Sequence, residues 1–512
     1  MATTTVAEVE SPKPDSSKWC WECRRRRLVC DCAYPVCNKC KSTGVVCPGY
    51  EDKKPLTWLA PGRVMSRNRK PRSKPTDQNA VVRSEKEKGK KRGPTAKAPR
   101  GIKQQTLLFF PGVQPRPDLC DMAEAAMYYN RAVYPDLVAN QLAPNPFVVP
   151  VLELQALPAP IQHALVAMAL SHRIYRSAAP LALPLEACSD PMRKAWWSRL
   201  HRHRGLAISL MNEDIGKEET RATDETITTV LVFLIGELQQ SISNEWRPHV
   251  NGIMALLKLR GGFDKLMQSA ERLKPSLLAL LLVIVTANTT SPADDQISLA
   301  PIIELIDIVP SLYGLGIYPP FPCAQYLFHD TVRLNHLRAR KADPFNSVED
   351  IQDLAAEAQT ILDHITAFSP QQWADSSASD FSSAWLLVGN IFHSALTLYC
   401  ISSLQSISLL PSSRELQTRR SAQRDRLMLL LAEGLEAPLL KKSLLWPLIV
   451  AGFEAREGSD IERKFVLRYL DEQSRELGSS QPLVAKVAFE RFWSGGRTRW
   501  DECFDRPYAF LV

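Results

Sequence analysis

From about residue 115 the apolar positions recur with a helical period. In 224–239, Ile227, Val230, Leu231, Leu234 and Leu238 fall on one face, at spacings of three, four, seven and eleven. Thr223 suits the cap of that helix. Thr226 stands where the reciprocal Glu of a capping box would be, so only half a box is present. The same reading places helices over 122–142, 161–176, 194–211, 250–259, 277–287, 351–367, 382–404, 414–431 and 462–477. Strand-like alternation is scarce. Such a succession, joined by Pro- and Ser-containing loops, predicts a large all-α domain over 115–512.

No stretch reads as the roughly 18 apolar residues that cross a bilayer. The nearest, LLALLLVIV at 277–285, lies between Lys274 and a polar segment and predicts a buried core helix. No membrane partner is expected. The N-terminus, MATTTVAEVE, lacks the apolar core of a secretory leader.

Over 51–105 the periodicity disappears. The stretch includes SRNRKPRSKP and EKEKGKKRGP, has no apolar face to bury, and is expected to be a disordered basic linker. Residues 1–17 are expected to be disordered as well. No heptad runs through the linker, so a homodimer would form through the helical domain. Residues 1–105 hold 25 Lys and Arg against 10 Asp and Glu; the rest holds 38 against 45, for a chain net of +8. A basic end on an acidic body points to a nucleic-acid partner. Clusters such as Lys90, Lys91 and Arg92 suit nuclear import or non-specific phosphate contacts.

Seven of the 12 cysteines lie in the first 50 residues. Cys20, Cys23 and Cys30 have the spacing C-x2-C-x6-C, and Cys37, Cys40 and Cys47 repeat it. A CxxC pair offers a soft metal two thiolates at once, which argues for zinc. Six thiolates fill one four-ligand site with two left over, or two sites if two cysteines bridge; the symmetry of the repeat favours two Zn²⁺. A disulfide framework suits short secreted chains and fits poorly here. Cys120, Cys188, Cys323, Cys400 and Cys503 are scattered, as expected of reduced core thiols.

The segment CWECRRRRLVCDCAYPVCNKCKSTGVVCPGY, with its basic run after the second cysteine, Asp31 after the third and Pro35 before the fourth, resembles the fungal Zn₂Cys₆ binuclear-cluster transcription factors. The resemblance implies a DNA-binding domain over 18–50, with Cys20 and Cys37 bridging two zincs. Cys23 and Cys30 would complete one site, Cys40 and Cys47 the other. It also implies that the short helix after the second cysteine enters the major groove at a CGG-like triplet. Two residues depart from the pattern. Val29 stands where a basic residue is usual, removing one expected backbone contact, and Cys32 is a seventh cysteine, read as a spectator.

The major groove admits one helix, and guanine N7 and O6 match an Arg fork. Arg26 and Arg27 align with the base-reading pair of the family. Arg24 and Arg25 are assigned to phosphate or the cluster, and Lys39 and Lys41 to the DNA backbone. A second resemblance, to the helical fungal-specific transcription factor domain, rests on Trp246, His249, Gly252 and Arg260-Gly261-Gly262. The two terminal glycines suit a helix C-cap, Gly252 a close helix approach, and Trp246 and His249 packing.

No GxGxxG, Walker, GxSxG or HExxH motif is present, and the nine histidines form no recognisable ligand or catalytic motif. His201 and His203 would point to different sides of a helix. An enzyme is not expected. Between Lys341 and Arg414 there is no Lys or Arg. Within that stretch FSPQQWADSSASDFSSAW reads as an activation segment or, preferably, as a solvated loop between core helices.

The expected function is sequence-specific DNA-binding regulation of RNA polymerase II genes in the nucleus. Double-stranded DNA and the transcription machinery or co-regulators are the expected partners. The competing reading is a helical scaffold whose zinc-stabilised knob binds protein.

Overall fold

The computed structural model describes residues 19–26, 28–33, 36–45, 47, 117–133, 156–177, 190–240, 246–262, 265–266, 273–297, 322–376, 382–504 and 506–511. The expected disorder of 1–17 and 51–105 lies outside them. The chain divides into two compact units, Met1–Thr106 and Leu107–Val512. Among the described residues there is no strand.

The first unit contains α1 (Trp21–Arg26) and α2 (Asn38–Ser42) around a cluster of cysteines. The second opens with α3 (Pro117–Tyr128), which runs into a π-helical turn at Tyr129–Val133; residues 134–142 of the helix expected there lie outside the description. It continues with α4 (Ala159–Arg176), α5 (Pro191–Gly216), α6 (Asp224–Gln240), α7 (Arg247–Leu259) and α8 (Lys274–Thr289). Then follow α9 (Gln325–Lys341), α10 (Val348–Ala367), α11 (Pro370–Ser376), α12 (Ser382–Ser406) and α13 (Arg414–Glu436). The last elements are α14 (Leu445–Glu454), α15 (Asp460–Leu477), α16 (Gln481–Ser494) and α17 (Trp500–Cys503).

The face read on α6 is the buried one: Ile227, Val230, Leu231, Leu234 and Leu238 all enter the core, and Thr223 Oγ1 accepts the Thr226 N–H at 3.3 Å. Gly261 and Gly262 after α7 have φ of +96° and +88°, the left-handed conformation of a glycine C-cap. Gly252 differs from expectation: it is exposed, and a Cβ there would meet nothing within 4 Å, so among the described residues no helix packs closely on it. Trp246 is fully buried, and His249 packs edge-on against Phe233, as packing residues would.

α12 is apolar around its whole circumference, and its solution is burial on all sides. It packs against α9, α10, α11, α13, α14 and α17. By length and composition α12 is also apolar enough to cross a membrane, which the reading of 277–285 as the nearest such stretch missed; here most of it is enclosed by the other helices. Within the presumed loop before it, α11 is helical, and Trp373 meets the buried Trp385 edge-on at 5.3 Å. The aromatic residues described there pack inward; Phe381 lies outside the described residues. Among the scattered cysteines, Cys323, Cys400 and Cys503 are buried but Cys120 is exposed, because it falls on the outer face of α3.

Polar side chains tie α3, α4 and α5 together. His203 Nε2 lies 3.0 Å from Asp121 Oδ2, and its Nδ1 lies 2.9 Å from His163 Nδ1. Arg199 reaches both Asp121 and Glu124. Two histidines therefore do converge with a carboxylate, on three different helices, while His201 faces Trp197 on the other side of α5.

α15 ends on Gly478 at φ +59°, and its ideal Cβ would come 2.4 Å from His172 Cδ2. Gly478→Ala therefore meets both a left-handed backbone and a filled space. A loss of roughly 2–4 kcal/mol in urea unfolding is expected; a midpoint within error of wild type would contradict this account.

A candidate metal centre with a basic helix

The 17-residue offset between the two cysteine triplets becomes an approximate internal symmetry. Cys20 precedes α1 and its Sγ accepts the Cys23 N–H at 3.4 Å; Cys37 caps α2 and its Sγ accepts the Cys40 N–H at 3.3 Å. Both helices close alike. The Leu28 N–H donates to the Cys23 carbonyl at 3.0 Å, and the Val45 N–H to the Cys40 carbonyl at 3.1 Å. In the second half this turn passes through Gly44 at φ +65°.

The sulfurs gather into two sets of four. Cys20, Cys23, Cys30 and Cys37 form one, and Cys20, Cys37, Cys40 and Cys47 the other; within each, all sulfurs lie within 4.8 Å of one another. The sets share Cys20 and Cys37, whose sulfurs are 3.6 Å apart. Cys20–Cys40 is 3.8 Å and Cys23–Cys37 is 3.7 Å. A tetrahedron with Zn–S bonds of about 2.3 Å has sulfur–sulfur edges of about 3.8 Å, so these separations suit two tetrahedra sharing an edge. Cys32 belongs to neither set; it sits in the loop at φ +53°, its Sγ 3.7 Å from the Cys30 carbonyl.

Electrostatics point the same way. Burial pushes the Cys20 thiol well up, raises the Cys23 thiol and lifts the Cys40 thiol to about 12. Thiols this crowded ionise together only against a compensating cation. The donor set, soft, buried and four-fold, therefore fits a thiophilic metal ion.

Asp31 plays a part that the sequence reading did not give it. Both its oxygens accept the Asn38 N–H, at 3.1 and 3.0 Å, and fasten the loop after Cys30 to the first turn of α2. Burial alone would raise this carboxyl, but the hydrogen bonds from Asn38, with those of the Asp31 and Lys39 backbone, together hold it below its usual range. Thr43 is the other residue missed. It occupies the position in the second half that Arg26 has in the first, and Arg26 Nη1 donates to Thr43 Oγ1 at 3.4 Å. The 17-residue offset, applied to every position rather than to cysteines alone, is the signal that pairs them.

Of the expected DNA contacts, Arg26, Lys39 and Lys41 are exposed on α1 and α2. The side chains of Arg24, Arg25 and Arg27 lie outside the described residues. Val29 is 70% exposed, so the place of the usual basic residue is filled by an apolar side chain in solvent.

Comparison with known proteins places these units in context. The fungal specific transcription factor domain matches residues 124–506, most of the helical unit. A phomenoic acid biosynthesis cluster-specific transcriptional regulator from Leptosphaeria maculans is 34% identical, over 97% of this chain and 90% of its own length. No solved structure matches. With three-quarters of its length matched and a relative aligned almost end to end, the chain belongs to the family of transcriptional regulators that carry the fungal specific transcription factor domain.

Proposed function

We propose that the chain is a nuclear, sequence-specific DNA-binding regulator of RNA polymerase II genes. The observation that carries this reading is the pair of four-sulfur sets sharing Cys20 and Cys37 beside an arginine-bearing helix, in a member of a transcription-factor family. Two Zn²⁺ would be held by Cys20, Cys23, Cys30, Cys37, Cys40 and Cys47, with Cys20 and Cys37 bridging. When bound, they supply positive charge and fix the two halves. α1 enters the major groove, Arg26 and Arg27 read a CGG-like triplet, and Arg24, Arg25, Lys39 and Lys41 grip phosphate. The bond to Thr43 is solvent-exposed, so Arg26 exchanges it for guanine at little cost. The helical unit supplies homodimer and co-regulator contacts. By similarity to the L. maculans regulator, the controlled genes belong to a biosynthetic cluster.

Exposed Leu28, Val29, Val36 and Val45 support a second reading, in which the cysteine module is a protein-binding knob. Fluorescence anisotropy separates the two. The zinc-loaded full chain should prefer a CGG-containing duplex over a scrambled one at moderate salt. Arg26→Ala and Arg27→Ala should each weaken that preference about tenfold or more, and Lys39→Ala should weaken both duplexes alike with a shallower salt slope. Equal affinity for both duplexes would defeat the DNA-reading proposal and leave the knob.

A further inference from the structure

α9, α10 and α11 line an open cavity of about 330 Å³ whose wall includes Tyr326, Asp330, His364, Phe368 and Trp373. Its volume is at the lower end of small-molecule sites. The carboxylate in the wall is unusual. Asp330 is 1% exposed; Oδ2 lies 2.6 Å from His364 Nδ1, but Oδ1 has no hydrogen bond among the described residues. Arg333 Nη1 approaches Oδ1 only to 3.7 Å, an ion-pair distance without a bond. A buried anion with one empty oxygen costs free energy unless a donor reaches it. Burial accordingly holds the Asp330 carboxyl above its ordinary range, against the opposing pull of His364, Arg333 and His329.

The rest of the wall is aromatic. Phe368 and Trp373 have centroids 6.4 Å apart, and Tyr326 stands 67% exposed at the mouth. Trp373 is seated in advance: it rests on Gly389, where a Cβ would come 2.9 Å from its ring. A carboxylate beside π faces is the combination that accepts an organic ammonium group, through a charge-assisted hydrogen bond and cation–π attraction.

We propose that this cavity binds a small organic amine, its ammonium group on Asp330 and its apolar body against Phe368, Trp373 and Tyr326. The site lies within the helical unit and does not depend on how the cysteine module reads DNA.

Isothermal titration of the full chain tests it, with phenethylamine and tryptamine as probes and 2-phenylethanol and 3-phenylpropionate as neutral and anionic comparators. The amines should bind saturably, and the comparators at least about tenfold more weakly. Asp330→Asn keeps the shape, removes the charge, and should lower amine affinity about tenfold or more. Tyr326→Ser, at an exposed position that leaves the fold intact, should lower it several-fold and keeps the test alive if the Asp330 variant misfolds. Absence of saturable amine binding, comparators binding as well as amines, or variants with unchanged affinity would each overturn the proposal.

Discussion

Cys37→Ser should empty both metal sites, unfold the N-terminal unit and abolish specific DNA binding. Cys20 and Cys37 are the two sulfurs common to both four-sulfur sets, so losing either removes a ligand from each. The one further thiol described in the unit, Cys32, belongs to neither set. Its core is the sulfurs themselves: Cys20, Cys23, Cys30, Cys37 and Cys40, with Trp19, Cys32 and Cys47 packed against them. A module this small, with no hydrocarbon core among its described residues, should draw its folding energy from metal, on the order of 10–16 kcal/mol for a structural zinc. Cys47→Ser is the informative control, because Cys47 belongs to one set only. Elemental analysis of the full chain should find two zincs in wild type, one in the Cys47 variant and none in the Cys37 variant. The helical unit, with its own core, should keep its far-UV signal in all three. One zinc in wild type would refute the shared-edge arrangement, as would a Cys37 variant that retains metal.

Why the cysteine site was legible in sequence and much of the helical body less so comes down to what each element buries. The doubled C-x2-C-x6-C survives as geometry because spacing dictates bite, whatever surrounds it. Asp31 and Thr43 act through backbone and through a partner in the other half-repeat, which no local pattern displays. Among helices, α6 has one apolar face and is read almost to the residue. α9 escapes the pattern because it buries Asp330, Asn335 and Arg338, residues that look like a solvent face. α14 is ten residues, apolar up to its last residue Glu454 and with Pro447 in its first turn, so it has no period to detect. α11 and α16 open on proline or with one in the first turn, which reads as a loop until the N-terminal position of that proline is known. The cavity has the same origin. The segment after Phe368 looks like solvated chain, yet Trp373 turns inward against α12.

Arg338 should prove the most sensitive single side chain of the helical unit. It is fully buried on α9, at the C-terminal end of α8, where the last carbonyls of that helix have no partner within it. Nη1 donates to the Asn288 carbonyl at 2.9 Å and to Tyr399 Oη at 2.8 Å, and Nη2 donates to the Ser291 carbonyl at 2.8 Å. Nη2 also forms an ion pair with Asp501 on α17. The positive charge thus faces the negative end of the α8 dipole and a carboxylate together. Tyr399 in turn donates to Asn335 Oδ1 at 2.6 Å, and Asn335 Nδ2 to the Val285 carbonyl at 2.9 Å. Trp500 Nε1 satisfies the Thr289 carbonyl at 2.8 Å. One helix end is therefore closed by side chains from α9, α12 and α17, with Arg338 of α9 touching both Tyr399 of α12 and Asp501 of α17. Arg338→Met keeps the apolar stem but strands two carbonyls, a hydroxyl and a carboxylate. The expected loss is about 3–5 kcal/mol in denaturant unfolding. Adding Asp501→Asn should cost less than its effect alone, because the carboxylate has already lost its cation. Strict additivity of the two, or a loss below about 1 kcal/mol for Arg338→Met, would mean that water replaces the guanidinium and that the α8 end is not sealed as described.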